Sequence, residues 1–244
     1  MMPRGGGVGC GVWPARAEGR RAPVGGGGVS SPWNYPVNLA LIPLATAIAA
    51  GNHVYRKPAE HTPRRTACLR SLLAEVFPLE RVAVAAGGAE VAGAFAALPF
   101  DHLVFTGSTA VGRKVMAAAA PNLTPLTLEL GGKSPAIVCD DYPVEQAAAR
   151  LATGKWFNGG QTCIAPDYVL LHASDRDAFV TAYDRAVAAF YPHGPSRPDY
   201  SAIVNRPHLD RLTRLAHDAA AKGPGIRIMG RAPCSVADLS PMRA

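Results

Sequence analysis

The sequence predicts an α/β fold built on a parallel sheet. Three observations carry that expectation. Short apolar runs, such as residues 81–85 and 102–106, alternate with segments of helical period, such as Leu69, Leu72, Leu73 and Val76 on one face. Gly and Pro mark the joints, at Gly51, Pro58, Pro63, Pro78, Gly87, Gly88 and Gly107. Hydrophobic residues make up 48% of the 244, enough for a core. Strands that alternate with helices imply a parallel sheet covered on both faces, and dinucleotides bind such sheets at the carboxyl ends of the strands.

Taken in order, residues 1–28 are low in complexity, with Gly5, Gly6, Gly7 and then Gly25, Gly26, Gly27 and Gly28 among scattered arginines. Such a segment buries too little apolar surface to offset its ordering entropy, so it is expected to be a disordered head. It is not read as a phosphate loop, because no strand precedes it and no GK[ST] follows. Order is expected from Val29. Residues 31–36 form a turn, and Pro36 suits the first turn of a helix that runs to Ala50 and ends at Gly51 and Asn52. A strand at 53–57, a helix at 64–76, a strand at 81–85, a helix at 89–97 and a strand at 102–106 follow. Gly107 and Ser108 turn into a helix at 109–120, and 126–130 and 136–138 are strands. Residues 29–130 thus read as a partial, Rossmann-like dinucleotide-binding domain. Residues 131–230 read as the start of a second α/β domain, with helices at 144–157, 175–190 and 208–221 and a strand at 168–172. Residues 231–244 have no periodicity.

Composition excludes several classes. The formal net charge is +7, but Arg4, Arg16, Arg20 and Arg21 against Glu18 place +3 of it in the head. The rest is mixed in sign without a Lys/Arg block, which argues against a nucleic-acid partner. The five cysteines include no CxxC pair and the histidines no HExxH spacing, so no metal site is expected. Isolated cysteines suit a reducing, cytoplasmic location. The longest apolar run, 37–50, is broken by Pro43 and falls short of the ~20 residues a bilayer needs, so no membrane segment is expected.

The chemistry concentrates between Leu128 and Cys163. Cys163 ends Phe157-Asn158-Gly159-Gly160-Gln161-Thr162-Cys163, a small-residue loop past a helix that would let a carbonyl approach the sulfur. On pattern alone it is either a nucleophile or a buried inert thiol. Cys68 and Cys139 read as core. Glu129 sits in Thr127-Leu128-Glu129-Leu130, either as a half-buried carboxylate tuned toward a general base or as an outward-facing side chain. Asn34 is either an amide donor or a turn former. Lys57 and Glu60, at a strand's carboxyl end, face a dinucleotide crevice or form a solvated pair. Gly107, Ser108 and Gly112 lie on a strand–turn–helix whose first amides can face a pyrophosphate.

These motifs, with Ser31-Pro32-Trp33-Asn34-Tyr35-Pro36 and Gln161-Thr162-Cys163-Ile164-Ala165-Pro166-Asp167-Tyr168, resemble those of the NAD(P)-dependent aldehyde dehydrogenases, above all the class 3 and coniferyl aldehyde dehydrogenases. The resemblance covers residues 30–229 and leaves the head and the tail 231–244 outside it. It implies an incomplete aldehyde dehydrogenase fold, truncated at both ends. It implies oxidation of an aromatic, phenylpropenyl or fatty aldehyde to the acid through a cysteine thioester. Cys163 is then the nucleophile, Glu129 the base for deacylation and Asn34 an oxyanion donor. Trp33, Lys57, Glu60, Gly107, Ser108 and Gly112 would line the cofactor, with NAD favoured over NADP because Glu60 would repel a 2′-phosphate. Family members are usually homo-oligomers, and their oligomerisation segment is not found in this sequence. The other outcome is an impaired remnant that at most binds a nucleotide or a full-length relative.

Overall fold

The computed structural model describes residues 22–194 and 200–222. The chain forms two compact units that divide between Glu129 and Leu130. Each is described on its own.

The first unit is a five-stranded sheet in the order β3-β2-β1-β4-β5. Its strands are β1 (Gly26–Ser31), β2 (His53–Pro58), β3 (Val82–Val84), β4 (His102–Gly107) and β5 (Leu126–Leu130). Helices α1 (Asn38–Ala49), α2 (Pro63–Val76), α3 (Ala89–Ala96) and α4 (Thr109–Ala119) fill the connections. β1 runs parallel to both β2 and β4, and β2 runs parallel to β3. That order places the topological switch between β1 and β4, at the carboxyl ends of Ser31 and Gly107. Val29, Leu44, Val54, Leu73 and Val82 form the core between this sheet and α1 and α2. Tyr55, Phe95 and Phe100 form a second aromatic cluster, with ring centroids 4.9–6.5 Å apart.

The expected disordered head is corrected at its inner end. Gly26, Gly27 and Gly28 are the first half of β1, the central strand. Of the three, Gly28 is the one whose neighbours leave no room for a side chain. A Cβ on Gly28 would lie 2.7 Å from Leu103 Cδ1 and from the Phe100 ring. Asn52 fixes the entry to the strand, since its Oδ1 accepts from the Val24 and Gly25 amides at 2.8 and 3.0 Å. The Gly26 amide donates to Asp101 at 2.7 Å. Residues 1–21 and the tail 231–244 lie outside the described residues.

The α2 face is also narrower than its period suggests. Thr66, Leu69 and Leu73 are buried, whereas Leu72 and Val76 are 51% and 70% exposed. Cys68 lies off the buried face and is exposed, as is Cys139, so neither belongs to the core.

The second unit pairs β6 (Ser134–Ile137) in parallel with β7 (Pro166–Leu170). Its helices are α5 (Val144–Trp156), α6 (Arg176–Phe190) and α7 (Arg206–Lys222). Ala147 and Ala148 of α5 pack on Phe179 and Ala182 of α6. Both strands start two residues earlier than their apolar runs. Pro166 opens β7, and Pro135 sits beside the register shift that leaves Asp167 without a partner on β6. Proline is tolerated at those two kinds of place, a strand's first residue and a bulge.

Candidate active site

The first unit collects the expected cofactor residues along the carboxyl edge of its sheet. Lys57 is the penultimate residue of β2 and is 3% exposed. Its ammonium donates to Glu60 at 3.1 Å. Burial pushes the Glu60 carboxyl up, but its backbone hydrogen bond, the bond from Lys57 and the charges of Lys57 and His61 carry it below the usual carboxylate range. A buried ammonium beside a half-exposed carboxylate offers one donor and one acceptor, the set that a pair of vicinal hydroxyls needs. Gly107 closes β4, and a Cβ there would strike the Phe105 ring. Ser108 caps α4, its Oγ accepting from the Val111 amide at 3.3 Å. Gly112 is buried in the first turn of that helix. Trp33 and Asn34 are half-buried just past the end of β1. These residues fit a dinucleotide: a helix N-terminus faces the switch point, and polar side chains flank it.

Glu129 is on β5, the outer strand beside β4, and it is exposed. Of the two readings of this side chain, half-buried or outward-facing, the fold gives the outward-facing one. An outer strand has a neighbour on one side only, and Leu126, Leu128 and Leu130 take its half-buried positions. Gly131 and Gly132 follow, with open space where a Cβ would be at either position.

In the second unit, α5 ends at Trp156 and the chain enters a turn at Phe157–Gly160. Asn158, Gly159 and Gly160 have φ of 53°, 63° and 74°, a run of left-handed residues that only Gly and, less often, Asn adopt readily. Gln161 and Thr162 follow, and Cys163 emerges exposed with a free thiol. Just beyond, Asp167 at the β-bulge accepts from Lys133 at 3.1 Å and lies 3.6 Å from Lys155. The hydrogen bond from Lys133, against a smaller effect of burial, holds the Asp167 carboxyl below its usual range, with the charges of both lysines helping.

One buried residue was not singled out by its sequence. Arg56 is 0% exposed, and none of its three side-chain nitrogens has a hydrogen-bond partner among the described residues. Period-2 alternation along β2 puts it on the face of Val54, so the sequence held that signal. No group of three or more His, Cys, Asp or Glu able to hold a metal occurs among the described residues. No described helix is long and apolar enough to cross a membrane.

Comparison with known proteins defines the class. A model of the aldehyde dehydrogenase family matches residues 10–238, beyond both ends of the stretch that the motifs alone delimit, and the chain belongs to that family. Among curated relatives, a probable coniferyl aldehyde dehydrogenase of Pseudomonas aeruginosa is 51% identical over 223 residues, 91% of this chain and 47% of that protein. A coniferyl aldehyde dehydrogenase of a Pseudomonas species is 51% identical over 201 residues, 82% of this chain and 42% of that protein. Among solved structures, the substrate-bound state of Staphylococcus aureus AldH superposes with a TM-score of 0.86 at 37% identity, covering 98% of this chain and 51% of that one. A Mycobacterium tuberculosis aldehyde dehydrogenase complexed with NAD+ gives 0.76 at 33% identity, covering 88% and 46%. The chain therefore spans about half the length of the curated relatives it matches.

Proposed function

We propose that this chain carries the nucleophile, base and cofactor residues of an aldehyde dehydrogenase that oxidises an aromatic, phenylpropenyl or fatty aldehyde to its acid with NAD+. NADP+ is the less favoured cofactor, because a Glu60 carboxylate on the adenosine ribose would repel a 2′-phosphate. The observation that carries the reading is the exposed, free thiol of Cys163 at the end of a left-handed turn.

In this reading Cys163 Sγ attacks the aldehyde carbon, and the resulting oxyanion accepts from the Asn34 side-chain amide and the Cys163 backbone N–H. One such donor contributes about 3 kcal/mol in comparable acyl-transfer sites. Lys57 and Glu60 would hold the adenosine ribose, the start of α4 with Gly107, Ser108 and Gly112 would accommodate the pyrophosphate, and Trp33 would line the cofactor. NAD+ bound there would supply the hydride acceptor for the oxidation that turns the Cys163 adduct into a thioester. Glu129 takes a proton from water, the water oxygen bonds to the acyl carbon, and the C–S bond breaks to return the thiolate and release the acid. Free thiols at Cys68, Cys139 and Cys163 suit a reducing cytoplasm.

The test is NADH formation from coniferyl aldehyde, or from a long-chain aliphatic aldehyde, by the 244-residue chain. Activity that vanishes in Cys163→Ala supports the reading. A folded chain that forms no NADH with either substrate refutes it. The exposure of Glu129 favours a second reading, a non-catalytic chain that still binds nucleotide. Calorimetric NAD+ binding without NADH production would select it.

A further inference from the structure

We propose that Gln161 is the positioning residue of the Cys163 loop, with a carboxamide that fastens the loop to residues 202–204. The proposal rests on the role given to Cys163 above.

The Gln161 side chain works as a peptide group would. Its Nε2 donates to Asn158 O at 3.0 Å inside the turn and to Ala202 O at 3.0 Å across it. Its Oε1 accepts from the Val204 amide at 3.0 Å. Two residues of a distant segment thus receive the donor–acceptor pair that a neighbouring strand would present. Gly159 touches the same segment, and a Cβ there would lie 2.7 Å from Ser201 O. No other residue fits that contact at φ +63°.

The segment that Gln161 grips is itself anchored. Ile203 is 5% exposed. Tyr200 stands edge-on to Tyr191 at 5.3 Å, and Tyr191 lies 5.8 Å from Trp156, the last residue of α5. Trp156 Nε1 donates to the Tyr183 hydroxyl at 3.1 Å. Residues 200–204 therefore hold the loop at its entrance, through the aromatic stack, and again two residues before the thiol, through Gln161. Left-handed Asn158 is a strained conformation that persists only when its surroundings enforce it. Donors to a developing oxyanion act well only when fixed beforehand, and the Cys163 amide is one such donor in the proposed reaction. Gln161 need not touch substrate to matter.

Gln161→Met keeps the length of the side chain and removes all three bonds; Gln161→Glu keeps only the acceptor for Val204. In the full chain, Gln161→Met should speed amide exchange in both 157–164 and 200–205 by about tenfold, and Gln161→Glu at least as much, because its second carboxylate oxygen would face the Asn158 and Ala202 carbonyls. Alkylation of Cys163 by iodoacetamide, measured against Cys68 in the same molecule, should rise at least about fivefold. With aldehyde and NAD+, kcat should fall by about tenfold or more while KM for NAD+ stays within about twofold. Unchanged exchange, or an unchanged alkylation ratio, would overturn the proposal. So would a loss of kcat matched by the same change in KM for NAD+ and a general rise in exchange. Exchange and alkylation need no turnover, so an inactive wild-type chain would count against the proposed function and leave this comparison decisive.

Discussion

Arg56→Met should stabilise the protein. The guanidinium is fully buried beside Val29 and Val84 in register, and its three nitrogens have no hydrogen-bond partner among the described residues. Burial alone lowers its pKa to about 10. At about 1.4 kcal/mol per tenfold, the charged form bears a penalty of roughly 3 kcal/mol in the folded state at neutral pH. Methionine fills a similar volume without a charge, and replacing buried ions by apolar side chains commonly gains 1–4 kcal/mol. The expected gain is about 1–3 kcal/mol, read as a higher urea midpoint at unchanged slope. The pH dependence has a definite sign. The folded pKa lies below the unfolded one, so the folded wild type sheds its proton first. Its deficit is complete below about pH 10 and shrinks as the pH rises above that value, so the advantage of Arg56→Met should narrow there. A loss of more than about 1 kcal/mol in Arg56→Met would refute the reasoning, since it would mean that Arg56 has an anionic partner in the folded protein.

Three further outcomes are expected. Gly28→Ala should cost about 1–3 kcal/mol in a thermal melt, because its Cβ meets Leu103 and Phe100 at 2.7 Å; a neutral effect would mean that the central strand has slack. Lys57→Met should weaken NAD+ binding by about tenfold or more in calorimetry without changing the alkylation rate of Cys163; equal binding would remove Lys57 from the cofactor site. Lowering the pH through the depressed range of Glu60 should weaken NAD+ binding in the wild type but not in Glu60→Gln, because protonation abolishes the ion pair with Lys57. Parallel losses in both proteins would exclude Glu60 as the titrating group.

Most of the alternation of strands and helices was legible in the sequence, because each element's apolar period reports its own burial. β2, α2, β4, α4 and α6 start and end within a residue or so of their patterns. The central strand was not legible. Gly26 to Gly28 carry no side-chain signal, and the crowding of Gly28 comes from Phe100 and Leu103, more than seventy residues on. Cys68 and Cys139 show the converse error. An apolar neighbourhood in sequence does not say which side of the helix or strand end is covered. At the site, residue types were readable and surroundings were not. The pairing of Lys57 with Glu60 spans three positions and could be expected, whereas the bonds of Gln161 reach forty-one and forty-three residues ahead. The exposure of Glu129 depends on what lies beside β5, which no local pattern encodes.

The division of labour between Cys163 and Glu129 is tested most directly by acid-quenching Glu129→Gln after mixing with coniferyl aldehyde and NAD+, then mapping the adduct by mass spectrometry. The account predicts about one NADH per chain and the acyl group on the peptide that contains Cys163, with little further turnover. An NADH burst with no adduct on Cys163, or a Glu129→Gln chain that turns over as fast as wild type, would contradict it.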